Sequence, residues 1–189
     1  PVYAERCAQL AARDGQVHSV LIYFGGGADV GNLTRLAGQA FQAPELTSIQ
    51  LDVVVGAAYA HQQALTELVA QRGNATIHQQ LPDLADLMAK ADLAIGAGGA
   101  TTWERCCMGL PSIVVSIADN QRPACEALAA EGLIEYLGEA KAYSVKRIRE
   151  MAKVLCEHPE TLRRIGNEGM KLVDGMGVKR ICIAIGILE

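Results

Sequence analysis

The sequence lacks the concentration of basic residues that nucleic acid binding requires. Its 17 lysine and arginine residues are outnumbered by 21 aspartate and glutamate residues, which gives a formal net charge of -4. The basic residues are scattered along the chain, apart from a modest cluster at Lys146, Arg147 and Arg149. Because proteins that bind nucleic acid present a basic face or stripe, we expect this chain to bind no nucleic acid.

The sequence also has little that indicates a metal site or a membrane anchor. Its six cysteines form no Cys-x-x-Cys pair and have no histidine pairing of the kind that zinc requires, so no metal is predicted. The longest apolar run near the end, residues 181–188, is far shorter than the ~20 residues of a membrane span. The opening residues resemble no signal peptide. These absences predict a reduced, cytoplasmic protein.

Groups for covalent or acid–base catalysis are missing as well. The sequence has no constellation of paired carboxylates, no Gly-x-Ser-x-Gly elbow and no cysteine or serine with an obvious partner base. The phosphate loop that ends in Gly-Lys-Ser or Gly-Lys-Thr is also absent. We therefore predict no catalytic residue and no cofactor in this chain.

What the sequence does have is an alternation of strands and helices. Apolar runs rich in β-branched residues predict strands at 17–24, 49–55, 75–78, 93–95 and 112–116. Apolar residues at helical spacing predict helices at 31–41, 59–72, 84–90, 101–108 and 122–131. Strands that are apolar throughout and separated by helices predict an α/β fold with a doubly wound, Rossmann-like parallel sheet. Ligands of such sheets bind at the carboxyl ends of the strands.

The two ends of the chain depart from this alternation. Residues 3–13 have helical spacing but follow no strand, so residues 1–16 are predicted to form a linker helix. A helical tail over residues 143–189 is predicted from apolar periodicity at 144–156, 161–173 and 178–188. A chain of 189 residues is long enough for one domain with a substantial core, and we predict a single domain over residues 1–189.

The clearest functional signature lies in residues 91–104, which form a buried strand, a glycine turn and the start of a helix in that order. Gly98 and Gly99 let the backbone turn sharply and approach a ligand closely. The unpaired N–H groups at the start of the helix are donors for an anion, and the hydroxyls of Thr101 and Thr102 add further donors. This order predicts a diphosphate site.

Glu104 lies in the first turn of the same predicted helix, and its role has two interpretations. A carboxylate repels phosphates, so beside a diphosphate it must point aside, where it can accept hydrogen bonds from ribose hydroxyls. The alternative is a capping box, in which residues 101–104 cap their own helix and Glu104 reaches back to a backbone amide.

Two other segments follow strands at the same edge of the predicted sheet. Gly26 and Gly27 belong to a turn after the first strand and are predicted to form a second wall for the diphosphate. This turn is not the dinucleotide fingerprint, because Val30 occupies the position of the third glycine. Asn120 and Gln121 follow the fifth strand, where their amides can bind sugar hydroxyls or, alternatively, cap a helix.

None of the four histidines is assigned as a general base from the sequence. His18 starts a strand and His158 precedes a proline, so both are interpreted as structural. His61 either approaches a phosphate or stands at a solvated helix start. His78 ends the third predicted strand and leads into residues 79–83, a loop whose backbone can pair with the edge of a nucleobase.

Residues 96–115 followed by 118–121 closely resemble a family of hydrolases that release UDP in pseudaminic acid biosynthesis. These are the UDP-2,4-diacetamido-2,4,6-trideoxy-β-L-altropyranose hydrolases. Further matches at 23–34, 52–56 and 174–180 extend the resemblance over nearly the whole chain. More loosely, residues 97–104 and 109–111 are similar to the carboxyl-terminal domain of the lipid-linked N-acetylglucosaminyltransferase of peptidoglycan synthesis, which has the two-domain GT-B fold.

The resemblance implies a carboxyl-terminal GT-B domain that binds UDP or a UDP-sugar. It assigns the diphosphate to Gly98, Gly99, Ala100, Thr101 and Thr102. It assigns the ribose to Glu104, the uracil to Leu81 and Pro82, and the sugar or phosphate to Asn120 and Gln121. The catalytic base in this family is expected from an amino-terminal domain that is absent from this chain.

The function implied is therefore the UDP-binding half of a hydrolase that cleaves a UDP-linked diacetamido-trideoxy sugar. One alternative is the donor-binding domain of a GT-B glycosyltransferase, in which an acceptor hydroxyl replaces water. The other alternative is a non-catalytic protein that binds sugar nucleotides on the same fold.

Overall fold

A computed structural model describes residues 2–27, 29 and 31–187. Its strands are β1 (Ser19–Tyr23), β2 (Gln50–Val55), β3 (Ala75–Gln79), β4 (Leu93–Ala97), β5 (Ser112–Ser116) and β6 (Glu135–Glu139). These six strands of the described chain form one parallel sheet in the order β3-β2-β1-β4-β5-β6. The prediction of a doubly wound, Rossmann-like α/β sheet is confirmed.

Helices cover both faces of the sheet. They are α1 (Val2–Cys7), α2 (Leu33–Ala40), α3 (Gln62–Arg72), α4 (Ala85–Lys90), α5 (Thr101–Cys107), α6 (Arg122–Ala130), α7 (Val145–Glu157), α8 (Pro159–Leu172) and α9 (Gly177–Ala184). Short 3-10 turns stand at Pro44–Leu46, Asp119–Gln121 and Ala140–Ala142. Within the described part of the chain, none of the helices has the length and apolar character that crossing a bilayer demands.

The core explains why the central strands are apolar throughout. On one face, Val53 and Ile95 pack with residues of α2 and α7, including Ala37 and Ile148. On the other face, Leu21 and neighbouring strand residues pack with α4, while Val114 packs with α6. A central parallel strand is buried on both faces, so its residues cannot alternate between apolar and polar.

The prediction of five strands is wrong, because the described residues include a sixth at Glu135–Glu139. This strand pairs with β5 alone, at the edge of the sheet, and its register shifts between Val114 and Ser116. Only Leu137 of its five residues is buried, and Gly138 has a φ of +91°. An edge strand that begins and ends with glutamate lacks the apolar run that marks the central strands.

The ends of the chain differ in part from prediction. The first helix ends at Cys7 rather than continuing to residue 13. Arg13 holds the irregular stretch that follows, since its guanidinium donates to the carbonyls of Gly109 at 3.0 Å and Met88 at 2.8 Å. The tail contains the helices α7, α8 and α9, and Pro159 begins α8 at its first position instead of ending a helix.

The strand order determines where a ligand crevice forms. The chain builds outward from β1 through β2 to β3, then crosses back to β4 on the other side of β1. Loops after β1 and β4 therefore leave the sheet in opposite directions, and a crevice opens between them at the carboxyl edge.

Candidate functional site

A cleft of about 530 Å³ opens at this carboxyl edge. Its walls come from α1, from the loops after β1, β2 and β3, and from the first turn of α5. The cleft brings together five of the residues predicted from sequence: Gly26, Leu81, Pro82, Thr101 and Glu104. The other predicted residues lie outside its lining: Gly27, Gly98, Gly99, Ala100, Thr102, Asn120 and Gln121.

The turn after β4 borders the cleft through Thr101 and carries unused backbone donors. The N–H of Gly98 donates to the Val115 carbonyl at 3.0 Å. In contrast, the N–H groups of Gly99, Ala100 and Thr101 donate to no other described residue. Consecutive free amides at the start of a helix are donors for an anion. This turn therefore has the chemistry that the predicted diphosphate site requires.

Close packing explains why position 98 of this turn needs glycine. A Cβ atom at position 98 would lie only 2.2 Å from the Sγ of Cys125, on α6. A Cβ atom at Gly99 would lie 3.5 Å from the Nε2 of Gln121. The Gln121 amide is oriented by its Oε1, which accepts from the Ile117 N–H at 3.0 Å. Gln121 thus presents a donor to the turn, whereas Asn120 is exposed in the neighbouring 3-10 turn.

Thr102 faces the interior, away from the cleft. Its side chain is buried, and its hydroxyl donates to the Ala97 carbonyl at 3.3 Å. The same oxygen accepts from the Arg105 guanidinium at 2.9 Å. The structure therefore gives the Thr102 hydroxyl a role in holding the turn, and it does not bring this hydroxyl to the cleft with Thr101.

Arg105 is a functional candidate that sequence reasoning missed. It is 2% exposed and donates to the Ala97 carbonyl at 2.9 Å, directly beneath the turn after β4. No carboxylate of the described chain forms an ion pair with it. Burial lowers the pKa of the Arg105 guanidinium to about 10, so the group stays positive at neutral pH. Its charge makes the potential beneath the turn favourable for an anion.

The helix that follows the turn after β1 is capped by the protein's own anion. The Asp29 carboxylate accepts from the N–H of Leu33 at 2.9 Å and from the N–H of Thr34 at 2.8 Å, at the start of α2. A capping carboxylate satisfies the amides that an anionic ligand would otherwise use. Ala28 and Val30 lie outside the described residues.

Gly26 contributes to the cleft through a close backbone contact with Gly56. A Cβ atom at Gly56, in the loop after β2, would lie 1.9 Å from the Gly26 carbonyl oxygen. Both residues line the cleft. Glycine at position 56 therefore allows the loops after β1 and β2 to touch, and the backbone forms the cleft surface there.

Glu104 lines the cleft, and the capping-box alternative is wrong. The N-cap of α5 is Ala100, and no described side chain caps this helix. Tyr3, which sequence reasoning did not single out, lines the cleft beside Glu104. Burial, with the nearby Glu104 carboxylate, raises the pKa of Tyr3 to about 12, so the phenol remains protonated at neutral pH.

The histidines stand apart from the cleft. The Nε2 of His78 lies 2.7 Å from the Oδ1 of Asp52 on the neighbouring strand, which pairs the two side chains. His61 is an exposed residue at the N-cap of α3. Over the described residues, no three side chains of the metal-binding types gather as a ligand set.

Comparison with known proteins identifies the family. A model described as the glycosyltransferase family 28 C-terminal domain matches residues 20–164. The spore coat polysaccharide biosynthesis protein SpsG of Bacillus subtilis (strain 168) is 28% identical over 164 residues, which are 86% of this chain and 48% of that protein. The chain thus spans about half the length of this relative.

Solved structures share the fold. MurG of Acinetobacter baumannii superposes with a TM-score of 0.71 at 18% identity, over 98% of this chain and 53% of that one. The UDP-GlcNAc 2-epimerase of Neisseria meningitidis superposes with a TM-score of 0.67 at 19% identity, over 92% of this chain and 45% of that one.

These matches confirm the predicted fold of a carboxyl-terminal GT-B domain. The finer assignment, as a hydrolase or as a transferase, stays a prediction. By the match over residues 20–164, the chain belongs to the family of glycosyltransferase family 28 C-terminal domains.

Proposed function

We propose that this chain is the half of a GT-B enzyme that binds the nucleotide-sugar donor, with UDP as the nucleotide. The observation that carries the proposal is the turn after β4, where free backbone amides adjoin a cleft that also contains Glu104. The cleft volume of about 530 Å³ lies within the range of about 300–1,000 Å³ that small-molecule sites occupy.

The arrangement of the cleft suggests how the nucleotide lies in it. The loop with Leu81 and Pro82 supplies an apolar wall and backbone groups for the uracil. Glu104 is an acceptor for the ribose hydroxyls, because an ionised carboxylate only accepts hydrogen bonds. Thr101 stands where the cleft meets the turn, so the diphosphate extends from there over the amides of Gly99 and Ala100.

This half of the enzyme contributes electrostatics rather than proton transfer. When the bond between sugar and nucleotide breaks, negative charge develops on the leaving diphosphate. Free amides and the buried Arg105 cation stabilise that charge without reorganising, which lowers the barrier. The acid–base group is proposed to come from the other half of the enzyme.

A glycosyltransferase is the reading that the family match favours. The relative named for spore coat polysaccharide biosynthesis and the structure of the epimerase bound to UDP-GlcNAc support a nucleotide-sugar substrate. A hydrolase remains the second candidate, because the run from 96 to 121 resembles hydrolases that release UDP. Both enzymes would use the same donor cleft.

Calorimetric titration with UDP tests the binding site. Thr101→Ala and Glu104→Ala each remove a group that we place against the nucleotide, and each is expected to weaken UDP binding by about tenfold. Thr66→Ala and Glu67→Ala, on the exposed face of α3, are matched controls that should bind UDP as the unsubstituted chain does. Equal UDP affinity in all four variants would remove the site assignment.

Turnover by the full-length enzyme separates the candidate reactions. A hydrolase consumes the UDP-sugar in water without an acceptor, whereas a transferase releases UDP only when an acceptor with a free hydroxyl is added. UDP binding without turnover in either assay would instead support the non-catalytic alternative.

A further inference from the structure

Tyr3 lines the cleft from helix α1, which is separate in the sequence from both glycine-rich turns. Its helix α1 packs against α4 and α5, and an ion pair between Arg6 and Asp86 joins α1 to α4. This packing brings the Tyr3 phenol into the cleft lining, together with Leu84 and Glu104. A tyrosine far away in sequence thus stands between the loop assigned to the base and the carboxylate assigned to the ribose.

The hydrogen bonds of Tyr3 leave its proton available. Its hydroxyl oxygen accepts from the backbone N–H of Leu84 at 3.3 Å. A phenol both accepts and donates, so this bond leaves the hydroxyl proton free for an acceptor. Glu104 lines the same cleft, on the helix α5 that α1 packs against, so its carboxylate is an acceptor within the same cleft for this proton. The carboxylate also contributes to the raised pKa of the Tyr3 phenol.

Glu104 needs such a partner in order to hold one orientation. Within the described chain it forms no ion pair and no hydrogen bond to the backbone of its own helix start. A carboxylate with a donor on one oxygen keeps the other oxygen for a ligand. Two adjacent ribose hydroxyls are donors that match this free oxygen.

We infer that Tyr3 is a positioning residue for nucleoside selection, which holds Glu104 so that the cleft favours a ribonucleoside diphosphate over its 2′-deoxy form. This inference rests on the proposed function, since it takes Glu104 as the ribose contact. Tyr3 acts through the Glu104 carboxylate and not through the diphosphate. Its loss therefore changes the preference for ribose over 2′-deoxyribose more than it changes the affinity for the diphosphate.

Titration of the chain with UDP and with 2′-deoxy-UDP tests this inference. The unsubstituted chain is expected to bind UDP about tenfold more tightly, because the deoxy nucleotide lacks one hydrogen bond to a charged group. Tyr3→Phe should reduce this preference to about threefold or less. Tyr136→Phe is the control: its hydroxyl lies 2.7 Å from the Ser116 Oγ, outside the cleft, and its loss should keep the preference at the unsubstituted value.

A double-mutant cycle with Glu104→Gln shows whether Tyr3 acts through Glu104. If it does, Tyr3→Phe leaves the preference for UDP unchanged once Glu104 is replaced. An equal loss of preference in both backgrounds, or an undiminished preference in Tyr3→Phe, would overturn the inference. So would equal binding of the two nucleotides by the unsubstituted chain. Binding of neither nucleotide is a different result, since it contradicts the proposed function itself.

Discussion

The turns after β1 and β4 are both rich in glycine, and they differ in what occupies their amides. After β1, the Asp29 carboxylate accepts from Leu33 and Thr34 and closes the start of α2. After β4, the amides of Gly99, Ala100 and Thr101 have no partner in the described chain. An anion of the protein thus caps the helix that follows the first turn, whereas the helix start after the second turn is open to the anion of a ligand.

The difference teaches that a glycine-rich turn specifies close approach of the backbone and not the binding of phosphate. The charge next to each turn strengthens the contrast. The first turn carries the negative Asp29, and the second lies above the positive Arg105. Two turns with similar glycine content therefore differ in the sign of the charge beside them.

The largest expected effect comes from filling the space at Gly98. In Gly98→Ala the new methyl group would lie 2.2 Å from the Cys125 Sγ, so the turn or α6 must shift. We expect the free energy of unfolding to fall by about 1–3 kcal/mol, together with UDP affinity. Chemical denaturation and calorimetry measure the two changes.

Two further variants control this prediction. Gly177→Ala places a methyl group where nothing lies within 4 Å, and it should leave stability nearly unchanged. Adding Cys125→Ala to Gly98→Ala removes the colliding sulfur and should restore UDP binding in part. If Gly98→Ala is as stable as the unsubstituted chain and binds UDP equally well, glycine at position 98 is not required for folding or for binding.

The second-largest effect is expected when the Asp29 carboxylate is removed. Asp29→Ala leaves two amides of α2 without their acceptor, and we expect a loss of about 1–2 kcal/mol in stability. UDP affinity should change by less than about twofold, because the Asp29 carboxylate caps α2 and we place the diphosphate at the turn after β4. Asp14→Ala, which removes a carboxylate that accepts one amide in an exposed loop, is the comparison for stability. A large loss of UDP affinity in Asp29→Ala would contradict the distinction between the turns.

The smallest expected effect is at the edge of the second turn. Gln121→Ala removes the Nε2 donor beside Gly99, and UDP affinity should fall by about threefold to tenfold. Stability should fall by a few tenths of a kcal/mol at most, since the side chain is partly exposed. Gln63→Ala on α3 is the matched control. Unchanged affinity in Gln121→Ala would exclude this amide from the diphosphate site.

Periodicity and turn chemistry were sufficient to predict the central sheet, because buried parallel strands are apolar without interruption. They missed β6, because a strand that begins and ends with a half-buried glutamate has no continuous apolar run. They also placed Thr102 beside Thr101 at the ligand, although the helix turns its hydroxyl inward. Neighbouring residues in the first turn of a helix face different directions, and spacing alone does not indicate which one meets the ligand.

Local sequence patterns also could not predict the place of Tyr3 in the cleft or the hydrogen bonds of Asp29, because both depend on contacts that form only in the folded chain. Tyr3 reaches the cleft only because α1 packs against α5, which is a contact between distant parts of the chain. From the sequence alone, the glycines before Asp29 indicate a ligand loop, and only the structure shows that the Asp29 carboxylate caps the helix that follows.

A crystal structure of the chain with UDP would test the central claim most directly. The account predicts phosphate oxygens within hydrogen-bond distance of the N–H groups of Gly99, Ala100 and Thr101, with Asp29 still bound to the start of α2. Phosphates bound at the start of α2 in place of Asp29, with the amides after β4 still unoccupied, would contradict it.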